Sequence, residues 1–307
     1  MSRKPFLMLI ASVLALAACG PSRTAKPAGP ITKTDGLNRS VTLEKPAQRI
    51  VSIAPSNTEI LFAVGAGTQV VGRDETSDYP AEAASVPTVG GFSGFSSESI
   101  VALKPDLVLG MAGDFNTPEL AASLEKLCLT VYYLTNPKTL EDVYANIETV
   151  GELTGRATEA AALVKSLETR LSAVDKKIAT LSTRPLVFFE LDATEPAKPY
   201  TSGPGTYIDL LITRAGGTNI GSQLQGAWAQ IGIEELLVLN PDVIILADSK
   251  YGETPEKVAN RAGWETLKAV QQGKVYPVDD NMFVRPGPRL VDGLEALAKL
   301  LHPDLFK

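Results

Sequence analysis

The sequence predicts an α/β protein of two similar lobes, each with a mainly parallel sheet, joined by one long rigid helix. Three observations predict it. Short aliphatic runs alternate with helical spans, the pattern of a parallel sheet. One block of sequence is written twice. Between the two halves lies the longest stretch free of proline, residues 139–181.

The repeated block is ESIVALKPDLVL (98–109) and EELLVLNPDVII (234–245), with a glutamate seven residues before Pro-Asp in both. Each copy reads as a short helix, stopped at the proline, that runs into a buried strand. A second echo lies upstream of each. A helix over 58–64 leads into GAGTQV (65–70), and a helix over Tyr207–Arg214 leads into AGGTNI (215–220). Glycine at such junctions is free to take the left-handed cap conformation. Matched elements in matched order indicate one unit per lobe.

In chain order, Ile31–Thr34 and Ser40–Leu43 flank Asp35-Gly36 and suggest a small hairpin packed on the first lobe. A buried strand over 49–54 follows, and Ser56 with Glu59 reads as a capping box opening the next helix. Residues 70–72, 88–90, 107–109 and 131–134 supply further strands. Over 139–181, Thr139 and Asp142 form a cap signature, and Gly151 and Gly155 are candidate bend points. From Arg156, apolar residues Ala160, Leu163, Val164, Leu167, Leu171 and Val174 recur at helical spacing. Roughly 25 such residues make a rod of about 38 Å. The second lobe opens with the strand LVFFEL (186–191), continues through strands at 243–246 and 275–278, and closes with an amphipathic helix over 291–301.

The N-terminus reads as an export signal. Arg3 and Lys4 precede an apolar run over 5–18 that is too short to span a bilayer stably. The run closes as LAACG (16–20), which resembles the lipobox of bacterial lipoproteins. That resemblance makes Cys19 the lipidated first mature residue and places the protein outside the cytoplasm, held on the membrane by its lipid alone. Expected boundaries are then 1–18 signal peptide, 19–30 lipidated cysteine and tether, 31–138 first lobe, 139–181 linker helix and 182–307 second lobe. With Cys19 consumed, Cys128 is the one remaining thiol, and its LCLTV setting reads as a small buried hydrophobe. Loss of Arg3 and Lys4 takes the net charge from −6 to −8, which argues against nucleic acid as a partner. The chain is expected to be monomeric.

Ligands of open α/β sheets bind beyond the carboxyl ends of the strands. The loops there carry Asp74, Thr76 and Tyr79, then Phe92 and Phe95, then Met111, Asp114 and Phe115. In the second half they carry Tyr200, Trp228, Asp248, Lys250 and Tyr251, then Met282, Phe283 and Arg285. Many aromatics and few charges suit a large, flat, partly apolar ligand.

RIVSIAPSNTEILFAVG (49–65), SDYP (77–80) and IVALKPD (100–106), extended by YTSG (200–203), AGG (215–217) and RPGPR (285–289), resemble the periplasmic-binding family for vitamin B12, ferric siderophores and haem. The resemblance implies two Rossmann-like lobes on one long helix, the class III fold, and delivery to an ABC permease dimer with its ATPase subunits. The B12-binding branch is the nearer pattern. There Phe92 and Trp228 fall on ligand-stacking tryptophans and Arg285 on a cleft arginine, while Thr76 stands where a tyrosine is expected. Ligand contacts are thus expected from Thr76, Tyr79, Phe92, Phe95, Tyr200, Trp228, Tyr251, Phe283 and Arg285. Glu98 and Glu234, aligned by the repeat, fall on the glutamates that meet permease arginines in the family.

The lone histidine, His302, lies beyond the last helix, and this speaks against both a free-metal site and a hydrolase triad. No enzyme activity, resident cofactor or protein-held metal is expected. The ligand is a small metal chelate: a cobalt corrinoid first, with a ferric siderophore or haem as the alternative. A surface sensor or scavenger without an importer is the alternative of another class.

Overall fold

The computed structural model describes residues 29–113 and 118–307. The expected signal peptide, Cys19 and the loop residues Asp114 and Phe115 lie outside the described residues. β1 (Ile31–Thr34) and β2 (Ser40–Leu43) form the expected hairpin. Arg39 ties it to the first lobe, donating to Glu125 Oε1 at 2.7 Å and to the carbonyl of Val131 at 3.2 Å.

The first lobe contains β3 (Ile50–Ser52), α1 (Pro55–Ala63), β4 (Val70–Arg73), β5 (Gly90–Gly91), β6 (Gly94–Phe95), α2 (Ser97–Ala102), β7 (Leu107–Met111), α3 (Pro118–Glu125) and β8 (Val131–Leu134). Its sheet is parallel in the order β4-β3-β7-β8. The strand expected over 88–90 reduces to one bridge, Arg73 to Thr88, and the hairpin β5–β6 follows it.

Two helices, α4 (Leu140–Thr154) and α5 (Ala157–Ile178), connect the lobes. The continuous helix expected over 139–181 is therefore broken, and the break is at Gly155 (φ 73°), which caps α4 in the left-handed region. The helices cross so closely that a Cβ on Gly151 would stand 2.4 Å from that of Ala160. The Thr139/Asp142 capping box forms as expected. α5 runs on to the second lobe, where Arg170 binds Asp292 and Glu295 and Asp175 binds Arg214.

The second lobe contains β9 (Leu186–Asp192), β10 (Tyr200–Ser202), α6 (Tyr207–Arg214), β11 (Thr218–Asn219), β12 (Trp228–Gln230), α7 (Ile233–Leu239), β13 (Val243–Leu246), α8 (Pro255–Ala259), α9 (Lys268–Gln271), β14 (Val275–Pro277), α10 (Asn281–Val284) and α11 (Arg289–Leu301). Its parallel strands pair as β11-β9-β13-β14, matching β4-β3-β7-β8. Antiparallel β10 and β12 are additions to that plan.

The duplication holds at atomic detail. Asp106 accepts from the backbone N–H of Gln48 and Arg49 at the entry to β3, and Asp242 accepts from Leu186 at the entry to β9. Lys104 and Asn240, each just before Pro-Asp, both take positive φ, 48° and 49°. Gly65 (φ 79°) and Gly216 (φ 84°) close the two helix–strand junctions in the left-handed region.

Both sheets are buried on both faces, as parallel sheets are. Val187 and Phe189 of β9, with Leu107 and Leu109 of β7, join a central core with α1, α4, α5, α6 and α11. Their neighbours Phe188 and Val108 enter two separate outer cores, one for each lobe. Cys128, expected in the core, is exposed, because it occupies a left-handed turn (φ 60°) after α3 that lifts its side chain off the lobe. No helix among the described residues is long and apolar enough to cross a membrane.

Candidate functional site

A cleft of about 630 Å³ lies between the lobes, at the carboxyl ends of both sheets. Its floor is made by two matched helix starts, Pro55 and Ser56 of α1 and Tyr207 and Ile208 of α6. The duplication thus turns one helix N-terminus from each lobe towards the ligand space.

The start of α1 departs from expectation. Pro55 opens the helix, its missing N–H being one that would be unpaired there anyway, and Ala54 caps without a side-chain bond. Ser56 and Glu59 form no capping box. Glu59 turns instead across the lobe boundary, and its Oε2 accepts from Arg289 Nε at 2.9 Å.

The loop after β4 is set by a buried chain of small polar groups. Ser52, Thr58 and Ser77 are joined by hydroxyl bonds of 2.7–2.8 Å. Ser77 donates onward to the Asp74 carboxylate, which also accepts from the Thr76 N–H at 2.9 Å. Such a satisfied network holds a loop in one conformation. It presents Thr76 to the cleft.

Aromatic rings line the rim from both lobes. Phe92, at the tip of the β5–β6 hairpin, is 69 % exposed, Trp228 on β12 is 58 % exposed and Tyr251 after β13 is 77 % exposed. Phe95 stands half-buried below Phe92, and Phe283 is fully buried in the floor, edge-on to Phe189 at 5.5 Å. Beneath Tyr251, Arg261 grips Glu190 at 2.6 and 2.8 Å and Glu253 at 2.8 Å, anchoring the segment that carries the ring.

Cations in the cleft wall are already matched. Lys250 pairs with Asp280 at 2.7 Å, while Arg285 donates to Asp78 at 2.6 Å, to Glu59 at 3.2 Å and to the Thr76 carbonyl at 3.0 Å. Burial alone would raise the Asp78 carboxyl, but the hydrogen bond and charge of Arg285 outweigh it and hold the group below its ordinary range. Among the described residues, no cluster of three or more histidine, cysteine, aspartate or glutamate side chains could hold a metal ion.

Of the residues predicted to touch a ligand, Thr76, Phe92, Phe95, Trp228, Tyr251, Phe283 and Arg285 meet at this cleft. Tyr79 and Tyr200 do not. Tyr79 faces a neighbouring groove, with the Arg289 guanidinium 4.0 Å above its ring. Tyr200 pairs with Gln230 on the strand face that also carries Trp228, yet it does not line the cleft. Thr201 takes the opposite, buried face and donates to the Phe189 carbonyl at 2.8 Å, while Tyr200 is exposed. Five polar wall residues were missed: Ser56 of α1, Asn136 after β8, Tyr207 of α6, and Asp280 and Asn281 at the start of α10. The Tyr207 hydroxyl is buried without a partner, and burial pushes its pKa above the usual range. The matched helix starts would have pointed to it.

Glu98 and Glu234 are exposed in the first turns of α2 and α7. A helix that leads back into a parallel strand runs against it, so both glutamates lie at the cleft end of their sheets.

Residues 50–282 match the family model described as periplasmic binding protein. The chain belongs to that family. A member from Bacillus subtilis (strain 168), named as an ABC transporter substrate-binding lipoprotein, is 33 % identical over 98 % of this chain and 96 % of its own. The solved periplasmic vitamin B12-binding protein of Vibrio cholerae is 29 % identical, with a TM-score of 0.71 over 84 % of this chain and 98 % of that one. A periplasmic haem-binding protein from Roseiflexus sp. RS-1 is 26 % identical, with a TM-score of 0.74 over 84 % and 99 %. As a family member the chain is a solute-binding protein of the class III fold.

Proposed function

We propose that the protein captures cobalamin or a related corrinoid in the interlobe cleft and delivers it to an ABC permease dimer with its ATPase subunits. One observation carries the ligand reading: exposed aromatic rings from opposite lobes, Phe92 and Trp228, rim a cleft whose two cations are both matched by carboxylates. Such a wall favours stacking on a broad face of low net charge. A trianionic iron chelate would have to compete with Asp280, Asp78 and Glu59 for Lys250 and Arg285. The likeness to a vitamin B12-binding protein supports the same reading.

Haem is the second reading, favoured by Tyr251, a rim phenol in a position to act as an axial ligand, and by the likeness to a haem-binding protein. Visible spectra of the purified protein with cyanocobalamin, haemin and a ferric hydroxamate separate the readings. We expect retention of cyanocobalamin through gel filtration; haemin retained with a shifted Soret band, and no cyanocobalamin, would replace cobalamin by haem.

Delivery is assigned to Glu98 and Glu234. A symmetric permease dimer requires two equivalent contacts, and the duplication supplies one on each lobe. Cys19, by its lipid, keeps both near the membrane, on the extracytoplasmic side.

A further inference from the structure

Beside the cleft, the second lobe grips the first. Glu59 of α1 is only 2 % exposed. Its Oε2 accepts from Arg289 Nε at 2.9 Å, and its Oε1 accepts from Arg289 Nη2 at 2.6 Å and from Arg285 Nη1 at 3.2 Å. Arg285 reaches on to Asp78 and the Thr76 carbonyl, and Arg289 covers the Tyr79 ring. Both arginines belong to the second lobe. Glu59, Thr76, Asp78 and Tyr79 belong to the first.

Three features mark this cluster as more than local packing. Arg289 is the first residue of the 13-residue helix α11, the end at which the helix dipole disfavours a cation. Its two-pronged grip on a carboxylate fixes orientation as well as distance. Glu59, Arg285 and Arg289 are also withdrawn from water, so loss of one leaves the other two buried and uncompensated.

Lobes of one chain ordinarily move against each other unless their interface is extensive. Here the apolar core shared around α4 and α5 is one attachment, and the Glu59 cluster is a second, polar one set beside the cleft. A hinge rotates about one attachment; two restrict it.

We propose that Glu59, Arg285 and Arg289 form an interlobe latch that holds the cleft at one width before any ligand arrives, with Glu59 as its positioning residue. Because Arg285 also lines the cleft, a partner that pries the lobes apart disturbs the latch and the ligand wall together. This inference goes beyond the ligand reading, since it concerns lobe spacing in the empty protein.

Spin labels on cysteines introduced at Ala122 and Gln272, both exposed and one in each lobe, report that spacing in the full chain carrying Cys128→Ser. Pulsed dipolar spectroscopy without ligand is expected to give one narrow distance distribution. Glu59→Gln, which keeps the volume and removes the charge, should broaden it and shift it to longer distances while circular dichroism stays unchanged. Arg289→Lys, which keeps the charge and loses the two-pronged grip, should do the same to a smaller extent. It carries the test if Glu59→Gln does not fold. Distributions that match the parent in every variant that folds overturn the latch. Since no ligand is present, failure of the cobalamin reading leaves this result standing.

Discussion

Arg289 closes on the Glu59 carboxylate of the opposite lobe with two nitrogens, at 2.9 and 2.6 Å, and the two residues are 230 positions apart in the chain. Removing one partner of a buried pair costs more than the pair contributes, because the other charge is left desolvated. Glu59→Ala should therefore destabilise the protein by about 3–5 kcal/mol in urea unfolding at neutral pH. The double variant Glu59→Met with Arg289→Met should cost less than Glu59→Ala alone. A larger loss in the double variant would show that the pair itself stabilises the fold.

Asp78 gives the pairing a pH dependence. Its folded pKa lies below the ordinary 3.8, so its bond to Arg285 contributes fully above that value and is lost as pH falls through the lowered one. The Asp78 side chain is 63 % exposed, and solvent screening keeps the contribution under about 1 kcal/mol. Wild type should exceed Asp78→Asn by that margin at pH 7, and the two should converge in acid. A gap that widens on acidification would contradict the assignment.

Placement of the aromatics makes opposite predictions for similar residues. Trp228→Ala and Phe92→Ala should each weaken cobalamin binding about tenfold or more, as truncation of an aromatic anchor does. Tyr200→Ala should leave affinity unchanged, because Tyr200 does not line the cleft. Equilibrium titrations of the three variants check this.

Permease docking is separable from capture. Glu98→Ala with Glu234→Ala should abolish cobalamin uptake by cells and spare the affinity of the purified protein. Charge pairs of this kind act chiefly on encounter and register, so each single variant should retain partial uptake. Unchanged uptake in the double variant would remove the docking role.

How legible a feature was in the sequence followed from how local its cause is. Glu98, Pro105 and Asp106 repeat as Glu234, Pro241 and Asp242 within single helix–strand units, and the duplicated topology was readable from them. Ser56 and Glu59 carry the spacing of a capping box, but the partner that claims Glu59 lies on α11, and no local pattern announces it. Tyr200 shares a strand face with Trp228 but pairs with Gln230 two residues further along, outside the cleft lining, and the pairing of β10 with β12 is not readable locally. Cys128 has apolar neighbours in sequence, yet a left-handed turn exposes it. Gly155 was recognisable as a bend point, and only the packing of α4 against α5 shows that the bend ends a helix.

The ligand reading stands or falls on a calorimetric titration of the purified protein with cyanocobalamin. Saturable binding of one cobalamin per chain, weakened by Trp228→Ala, is the expected result. No heat of binding to cyanocobalamin, with saturable binding of haemin or a ferric siderophore under the same conditions, would contradict it.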